Sequence, residues 1–353
     1  MDERVDDEAR QSGQGRWAEP VIAINGKDVS GLVSEYLKSV TFEDVARDRC
    51  DSLDIVMHNI GWRWLGDWYP RLGDTVDCSI RFHNWKRGMQ TLTLKCGHFV
   101  IDDISFTGSP MTATLSCLSS PADTSFGCKA RNKTWENVTV EKIASKITRP
   151  YRIALDYDAP KISVMEKEQE EEDDAAFLYS LCKDYNLGMK MYGQKLVIYD
   201  PGRMEQKEAV ATLTPRSFVG GQWTFTDTLA GTYNGARIPY KAGGSDTKMA
   251  YFGSVKESAE NARTLRISRT AETRADAKFI ALSQVNASNE QATKLSGQVW
   301  PDPDIVAGAC VVVKDFGSAN GKYFVEEANT TLSSSGVSMN LVMHRCVERL
   351  RRV

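Results

Sequence analysis

The 353-residue sequence lacks any apolar run close to the roughly 20 residues that a helix needs to cross a bilayer. Its first stretch, MDERVDDEARQSGQGR, is polar and lacks the apolar segment of a signal peptide. A basic excess is also missing, because 44 Lys and Arg residues face 47 Asp and Glu residues, for a formal net charge of −3. We therefore expect a protein made and kept inside a cell, with no membrane anchor and no specific nucleic-acid binding.

Histidine is scarce and the cysteines are not paired in motifs. The eight cysteines are scattered and none forms a CxxC pair, which predicts reduced and mostly buried thiols. Strand alternation places Cys96 and His98 on one face, where they could supply two metal ligands together with His58 or His83. A structural zinc site normally has four ligands in recognisable pairs, so we expect packing residues here, without a metal or cofactor.

Motifs for catalysis are also missing. GSANGKY, residues 317–323, has a phosphate-loop spacing that is one residue short, and strand-like runs flank it on both sides, which predicts a hairpin turn. The carboxylates of EKEQEEEDD, residues 166–174, lack the pattern of a calcium loop, so we interpret them as a solvated face or helix cap. There is no GxSxG elbow and no histidine beside a conspicuous nucleophile. We predict that the protein is not an enzyme.

What the sequence does contain is a series of short β-rich runs between turns, beginning at Pro20. In TLTLKC, Leu92, Leu94 and Cys96 fall on one face, as in a half-buried strand. This pattern predicts an antiparallel sheet curled into a barrel or sandwich. A C-terminal three-stranded meander is predicted from IVAGACVVVKDFGSANGKYFVEEANTTLSSSGVSMNLVMHR.

The middle of the chain has a different pattern. A short helix is predicted at TWENVTVEKIASKI, and DDAAFLYSLCKDYNLGMKMYGQKLVIYD, residues 173–200, predicts a helix followed by a hairpin. Asp173 or Asp174 caps the second helix, Gly188 ends it, and the hairpin turns at Gly193 and Gln194. The predicted buried stripe of this helix consists of Leu178, Leu181, Cys182 and Tyr185.

A cluster of aromatic residues lies in the loop GWRWLGDWYP. Trp62, Trp64, Trp68 and Tyr69 could form a sugar-binding or partner-binding patch, or they could belong to the core or to a subunit interface. The sequence leaves both readings open.

The order of the segments resembles the phage late control D family, the baseplate hub proteins of contractile tails and of related injection particles such as tailocins. The similarity covers nearly the whole chain from about Pro20, although EEANTT lacks a histidine that such hubs often have near this point. The stretches that carry it are DSLDIVMHN, LGDTVDCSI, CGHFVIDDISFTGSP, NKTWENVTVEKIASKI, DAAFLYSLCKDYNLGMKMYGQKLVIYD and DIVAGACVVVKDFGSANGKYFVEEANTTLSSSGVSMNLVM.

This resemblance implies a mainly β fold with α+β insertions, in which two tail-tube-like antiparallel β-barrel domains are joined by a small helix-hairpin module. The barrels are free to interleave along the chain. The expected units are a disordered tail at 1–17, a first tube-like domain at 18–120, an α/β module at 121–205, and a second tube-like β domain at 206–353 with an exposed loop at 240–253 and a helix at 274–289.

The function implied is that of a structural hub. Three chains would form a ring that adapts the six-fold tail tube to the three-fold central spike and lets DNA or tape measure pass. The expected partners are the tail tube or tube-initiator protein, the spike, the tape-measure protein and neighbouring baseplate proteins, in a particle assembled in the bacterial cytoplasm. Trp62, Trp64, Trp68 and Tyr69 would lie at a subunit or tube contact.

Two alternatives remain open from the sequence: a tail-associated peptidoglycan hydrolase, or the base of a type VI-like secretion spike. Larger relatives carry a lysozyme-like domain, a hydrolase or a β-helical spike after the meander. The sequence ends at Val353, directly after the meander, so we expect such activities in other proteins.

Overall fold

The computed structural model describes residues 15–86, 90–119, 124–192, 194–242 and 246–350. The fold is mainly β with antiparallel sheets and a few helices, as the sequence predicted. None of the helices in these ranges is both long enough and apolar enough to span a bilayer. The helices are α1 (Ser30–Tyr36), α2 (Val140–Thr148), α3 (Asp174–Asp184), α4 (Pro201–Met204) and α5 (Arg274–Glu290).

The strands are β1 (Trp17–Ile24), β2 (Lys27–Asp28), β3 (Leu37–Val45), β4 (Ser52–His58), β5 (Thr75–Lys86), β6 (Gln90–Thr107), β7 (Thr112–Leu118), β8 (Ala130–Thr139), β9 (Ala154–Asp158), β10 (Ser163–Asp173), β11 (Gly188–Tyr192), β12 (Lys195–Tyr199), β13 (Ala209–Leu213), β14 (Phe218–Asp227), β15 (Gly235–Lys241), β16 (Thr247–Gly253), β17 (Thr264–Arg266), β18 (Thr293–Val299), β19 (Cys310–Val313), β20 (Gly321–Ser333) and β21 (Gly336–Arg345).

The first barrel is built from the N-terminal strands in the order β2-β1-β5-β6-β7-β4-β3, all antiparallel. Strand β3 continues the sheet into β20, and β1 lies beside β20 and β21, so the sheet curls back on itself. The predicted alternation of TLTLKC is confirmed, because Leu94 and Cys96 are buried while Thr93 and Lys95 are exposed. Inward-facing side chains of this kind fill the barrel.

The second barrel follows the order β14-β18-β21-β20-β19-β13, with β13 and β19 parallel and the other pairs antiparallel. The predicted C-terminal meander is confirmed as β19, β20 and β21. A single turn of 3-10 helix, Pro215–Ser217, connects the two strands at the ends of this order. The barrel core consists of Leu213, Phe218, Leu295, Val299, Ile305, Val311, Val313, Tyr323, Val325, Ala328, Met339, Leu341 and Met343.

The middle unit combines three helices with three small sheets. These are the ribbon β8-β10, the sheet β9-β12-β11 and the sheet β16-β15-β17, covered by α2, α3 and α5. Residues 235–290 were expected inside the second tube-like domain, but their buried side chains pack into the core of this middle unit. The expected exposed loop at 240–253 is largely a hairpin of β15 and β16, whose tip at 243–245 lies outside the described residues.

The helix and hairpin predicted at 173–200 are both present, but the helix ends at Asp184 and Gly188 is the first residue of β11. The predicted turn residue Gly193 lies outside the described residues. Helix α3 begins after Asp173, whose Oδ1 accepts a hydrogen bond of 2.8 Å from the backbone N of Ala176. Helix α2 is shorter than predicted, because TWENVT belongs to strand β8 and the helix begins after Thr139. The acidic stretch 166–174 lies in β10 and at this cap, so its interpretation as a solvated face and helix cap is confirmed.

Ion pairs and a hydrogen bond connect the hairpin β11-β12 to the first barrel. Lys190 Nζ lies 2.5 Å from Asp44 Oδ1 and 3.0 Å from Asp51 Oδ1, and the hydroxyl of Tyr199 donates to the carbonyl of Ala46 at 2.7 Å. The tyrosine ring reaches this position by lying against the backbone of Gly188, where an added Cβ would be only 2.3 Å from Tyr199 Cζ.

We predict that Gly188→Ala lowers the free energy of unfolding by about 1–3 kcal/mol, because the new methyl group must displace the Tyr199 ring. Chemical denaturation with urea measures this change. Gly31→Ala is the matched control: Gly31 lies in α1 with no atom within 4 Å of an added Cβ, and alanine favours a helix. Equal stability of the two variants would contradict the close packing at Gly188.

Candidate functional site

The aromatic loop identified from the sequence connects β4 and β5 at one end of the first barrel. We call residues 59–72 the tryptophan loop. Its entry is fixed by Asn59, whose side-chain oxygen accepts a hydrogen bond of 3.0 Å from the backbone N of Trp64 and whose backbone N donates to Met111. Gly61 has a φ of 64°, which a residue without a Cβ adopts at little cost.

Two of the four predicted interface residues point inward. Trp64 is 4% exposed and belongs to the barrel core, and Trp68 packs edge-on against it at 5.6 Å between ring centroids. Arg63 closes this cluster, because its guanidinium lies 5.1 Å from the Trp68 ring centroid and donates to the hydroxyl of Tyr36. Trp64 and Trp68 therefore anchor the loop to the core of the first barrel.

The other two residues point outward. Trp62 is 59% exposed and Tyr69 is 52% exposed, with the Tyr69 ring stacked on Phe106. Three aliphatic side chains of the same loop are also exposed, namely Ile60, Leu65 and Leu72. An exposed apolar rim on an ordered aromatic base is typical of a protein-interaction surface. The sequence identified the loop, and the structure separates its supporting residues from its exposed ones.

The metal site considered from the sequence has a different geometry from the one expected. A bulge in β6 inserts Cys96 between residues paired with Ser79 and Cys78, so Cys96 and His98 do not share a face. Cys96 is buried in the barrel core, whereas His98 Nδ1 lies 2.8 Å from Asp77 Oδ1 at the surface. Within the described ranges, no cluster of three His, Cys, Asp or Glu residues is arranged to hold a metal ion.

The stretch 317–323 is a hairpin turn, as predicted. A short 3-10 turn at Gly317–Ala319 leads into β20, and β20 pairs antiparallel with β19. Tyr323 anchors the turn by donating from its hydroxyl to the carbonyl of Ala319 at 2.8 Å. Lys322 Nζ is occupied by the carbonyl of Lys207 and does not reach over the turn as a phosphate-binding lysine would.

Sequence reasoning missed a buried charge network at the junction of the three units. At its centre is His344 on β21, which is 1% exposed. Its Nε2 lies 2.8 Å from Glu205 Oε1 and its Nδ1 lies 3.0 Å from Glu326 Oε1. A single neutral imidazole can donate to only one carboxylate, so this geometry requires the doubly protonated, positively charged ring.

The network continues into the other two units through Arg349 and Glu290. Arg349 Nε lies 2.8 Å from Glu205 Oε2, and Arg349 Nη1 lies 2.6 Å from Glu290 Oε1. Glu290, at the end of α5, also binds Arg47 from the first barrel and accepts a hydrogen bond from Asn186 beyond α3. The first barrel, the middle unit and the second barrel therefore meet on the same group of side chains.

The electrostatics of the network follow from this geometry. Burial alone would lower the pKa of His344, but the hydrogen bonds to Glu205 and Glu326 outweigh it and raise the pKa above its usual 6.5. Burial alone would raise the pKa values of both glutamates. The hydrogen bonds to His344, together with Arg349 at Glu205 and Lys294 at Glu326, lower both pKa values to about 2.

The sequence contained only a faint signal for this network. His344 occurs in the apolar strand run NLVMHR and Glu326 in FVEEA, two runs expected to be neighbouring strands. A charged residue inside each of two paired buried strands indicates a buried ion pair. The third and fourth members, Glu205 and Arg349, come from irregular segments, so no periodic pattern identifies them.

We predict a stability maximum between about pH 4.5 and 6.5 for this network. The raised pKa of His344 means that its contribution is complete below pH 6.5 and is lost as the pH rises through the raised value. The lowered pKa values of Glu205 and Glu326 mean that their contribution is complete above pH 4.5 and is lost as the pH falls toward 2. Urea denaturation at pH values below, within and above this maximum measures both limbs.

The variant His344→Gln should lower the free energy of unfolding near pH 5.5 by about 3 kcal/mol, because it removes the buried cation that lies between two carboxylates and leaves each with one cationic partner, Arg349 or Lys294. It should also remove the alkaline limb of the stability curve. His98→Gln is the control, since the His98–Asp77 pair lies at the surface and is worth at most about 1 kcal/mol. An unchanged alkaline limb in His344→Gln would show that another group titrates there.

Comparison with known proteins adds the fold relationship. No protein-family model and no curated protein matches this sequence. The structure is similar to the tail protein from Neisseria meningitidis MC58, with 14% identity over 93% of this chain and 97% of that one and a TM-score of 0.68. It is also similar to the 43 kDa tail protein of prophage MuSo2 from Shewanella oneidensis, with 14% identity over 93% of this chain and 98% of that one and a TM-score of 0.66.

A third similar structure is an E. coli protein described as a component of the type VI secretion system. It shares 11% identity over 90% of this chain and 77% of that chain, with a TM-score of 0.52. At these identities the likeness is one of fold. The resemblance stated from the sequence is confirmed at that level, because this chain has the fold of phage tail proteins.

Proposed function

We propose that this protein is a structural baseplate hub of a contractile tail, in which three copies form a ring between the tail tube and the central spike. The observation that carries the proposal is the fold likeness to two phage tail proteins, which extends over 93% of this chain and almost the whole of each of those chains. A match of this extent includes both barrels and the middle unit, and not only one common β module.

The pairing of two barrels in one chain supports a role in matching symmetries. Three identical single-barrel subunits offer only a three-fold face, whereas three chains with two barrels each offer six similar barrels around one axis. Such a ring can present a pseudo-six-fold face to a tube and a true three-fold face to a spike. The two barrels here share the continuous sheet through β3 and β20, so each chain presents them as a fixed pair.

The junction between the barrels is also consistent with a protein that must withstand mechanical force when a tail contracts. Hydrogen bonds along β3 and β20 and the His344 network hold the two barrels and the middle unit together without relying on a flexible linker. A hub of this kind transmits force from tube to spike through its own fold. Large obligate interfaces, on the order of 2,000 Å² or more, would connect it to its neighbours.

The partners that follow from the proposal are other copies of this chain, the tail tube or tube-initiator protein, the spike, the tape-measure protein and neighbouring baseplate proteins. The protein would act in the baseplate of the particle after assembly in the bacterial cytoplasm. The formal net charge of −3 is compatible with a channel through which DNA passes without being retained. No catalytic step is part of this role.

The second candidate function is the base of a type VI secretion spike. It is favoured by the fold likeness to the E. coli component of that system. The TM-score of this likeness is the lowest of the three reported above. Both functions use a ring of paired barrels, and they differ in what is attached below it. A tail-associated peptidoglycan hydrolase, the third alternative, is tested by adding the purified protein to peptidoglycan and following turbidity.

The decisive experiment is electron microscopy of the purified protein, alone and with the spike protein of the same particle. We expect a three-fold ring with an open centre, at least when the spike is present, because the six barrels need three chains. A protein that stays monomeric in the presence of its spike would contradict the hub proposal. Loss of peptidoglycan turbidity with the monomer would then favour the hydrolase.

We predict that the double variant Trp62→Ser, Tyr69→Ser folds with a loss of at most about 1.5 kcal/mol, from the Tyr69–Phe106 stacking, but fails to assemble, since both side chains are largely exposed in the monomer. Size-exclusion chromatography with light scattering measures the assembly. Trp300→Ser is the matched control, because Trp300 is a 43% exposed tryptophan outside this loop. Normal assembly of the double variant would exclude the tryptophan loop from the subunit contacts.

A further inference from the structure

An open groove of about 640 Å³ runs along one edge of strand β10 in the middle unit. Consecutive residues of β10 line it, from Val164 to Glu168, although neighbouring side chains of a strand point to opposite faces. The groove must therefore follow the backbone edge of the strand and not one of its faces. We call it the acidic groove. Its opposite wall consists of Lys241, Arg269, Thr270 and Glu272, and its floor includes Tyr185 and Asp276.

The edge of β10 that faces the groove has no strand partner within the described ranges. Strand β10 pairs with β8 alone, and the β8 residues Asn132, Lys133 and Thr134 line a separate pocket, to which Glu168 and Glu170 of β10 also contribute. The backbone of the opposite wall is itself extended at Ala271, which forms a parallel bridge with Tyr240 of strand β15. The groove thus separates two extended backbones and is open along its length, which is the setting in which an added strand makes main-chain hydrogen bonds.

The charges around the groove are unbalanced. Six of the lining residues are acidic and three are basic. Each of the three cations is already paired: Lys167 and Arg269 both bind Asp184, and Lys241 Nζ lies 2.7 Å from Glu272 Oε2. The carboxylates of the strand itself, Glu166, Glu168 and Glu170, make no ion pair with any residue that the structure describes.

These three carboxylates occupy alternate positions of β10, and all three residues are exposed. The hydrogen bond between Glu168 and Glu170, followed by the negative charge of Glu170, raises the pKa of Glu168. A carboxyl pKa raised by neighbouring carboxylates indicates that the local negative charge is not compensated within the chain. A cationic partner would remove this repulsion.

We propose that the acidic groove binds an extended, basic segment of another protein, which adds a strand to the free edge of β10 and places alternate Lys or Arg side chains against Glu166, Glu168 and Glu170. The strand run from Val164 to Glu170 matches a segment of about seven residues at roughly 3.3 Å per residue. Main-chain pairing with β10 provides affinity, and the carboxylates select the basic partner. The proposal does not rest on the hub function and stands whether or not the chain forms a ring.

The test uses the full chain and a synthetic eight-residue peptide of alternating lysine and threonine, with a fluorophore at its N-terminus. We expect binding by fluorescence anisotropy at low ionic strength, weaker binding as salt is added, and no binding of the corresponding glutamate and threonine peptide. The triple variant Glu166→Gln, Glu168→Gln, Glu170→Gln should weaken binding about tenfold. The absence of any binding of the basic peptide to the wild-type chain would overturn the proposal.

Two controls separate strand addition at this groove from general charge attraction. The triple variant Glu35→Gln, Asp103→Asn, Glu208→Gln removes the same number of exposed charges elsewhere and should leave binding nearly unchanged. Peptides N-methylated at alternate residues, in both possible sets, keep the charge but lack the amide donors of one edge, so at least one set should fail to bind. Equal losses in the two triple variants, or full binding of both methylated peptides, would contradict the proposal.

Discussion

The architecture depends on strand β20, which is shared by the two barrels and has a bulge at Glu326. The pairing of β20 with β21 slips by one residue between Val325 and Glu327, and this changes which side chains face inward. Tyr323 and Val325 before the slip and Ala328 after it pack into the second barrel, whereas Leu332, farther along the strand, packs into the first. One strand can therefore serve both cores, and the barrels are joined through a shared sheet instead of a linker.

The charge network around His344 makes this junction specific. Apolar cores accept many packing arrangements of similar energy, whereas a buried carboxylate is stable only where its cation is held in place. Glu326, the bulge residue, is one of the carboxylates that His344 holds, so the slip in register and the ion pairing occur together. We infer that the network fixes how the barrels and the middle unit are arranged, which a hub that transmits force would require. The exposed side chains of the tryptophan loop and the acidic groove then lie on a rigid body.

Much of the local structure could be predicted because it depends on short stretches of chain. The alternation in TLTLKC, the Asp173 cap of α3 and the C-terminal meander all arise from neighbours that are close in the sequence, and the structure has each of them. The candidate site was only half predictable. The sequence showed four aromatic residues in the tryptophan loop, but it could not distinguish Trp64 from Trp62, since both are tryptophans. Only the position of the barrel core leaves Trp64 buried and Trp62 exposed.

The sequence by itself determined the fold class, the positions of most strands and helices, and the absence of recognisable catalytic motifs, because period, caps and turns act within a segment. The tertiary structure alone decided that residues 235–290 pack with the middle unit, that bulges occur at Cys96 and Glu326, and that His344 meets Glu205. The contact between His344 and Glu205 joins residues that are 139 positions apart. The energies of such contacts depend on which surfaces are buried together, and no local pattern encodes that choice.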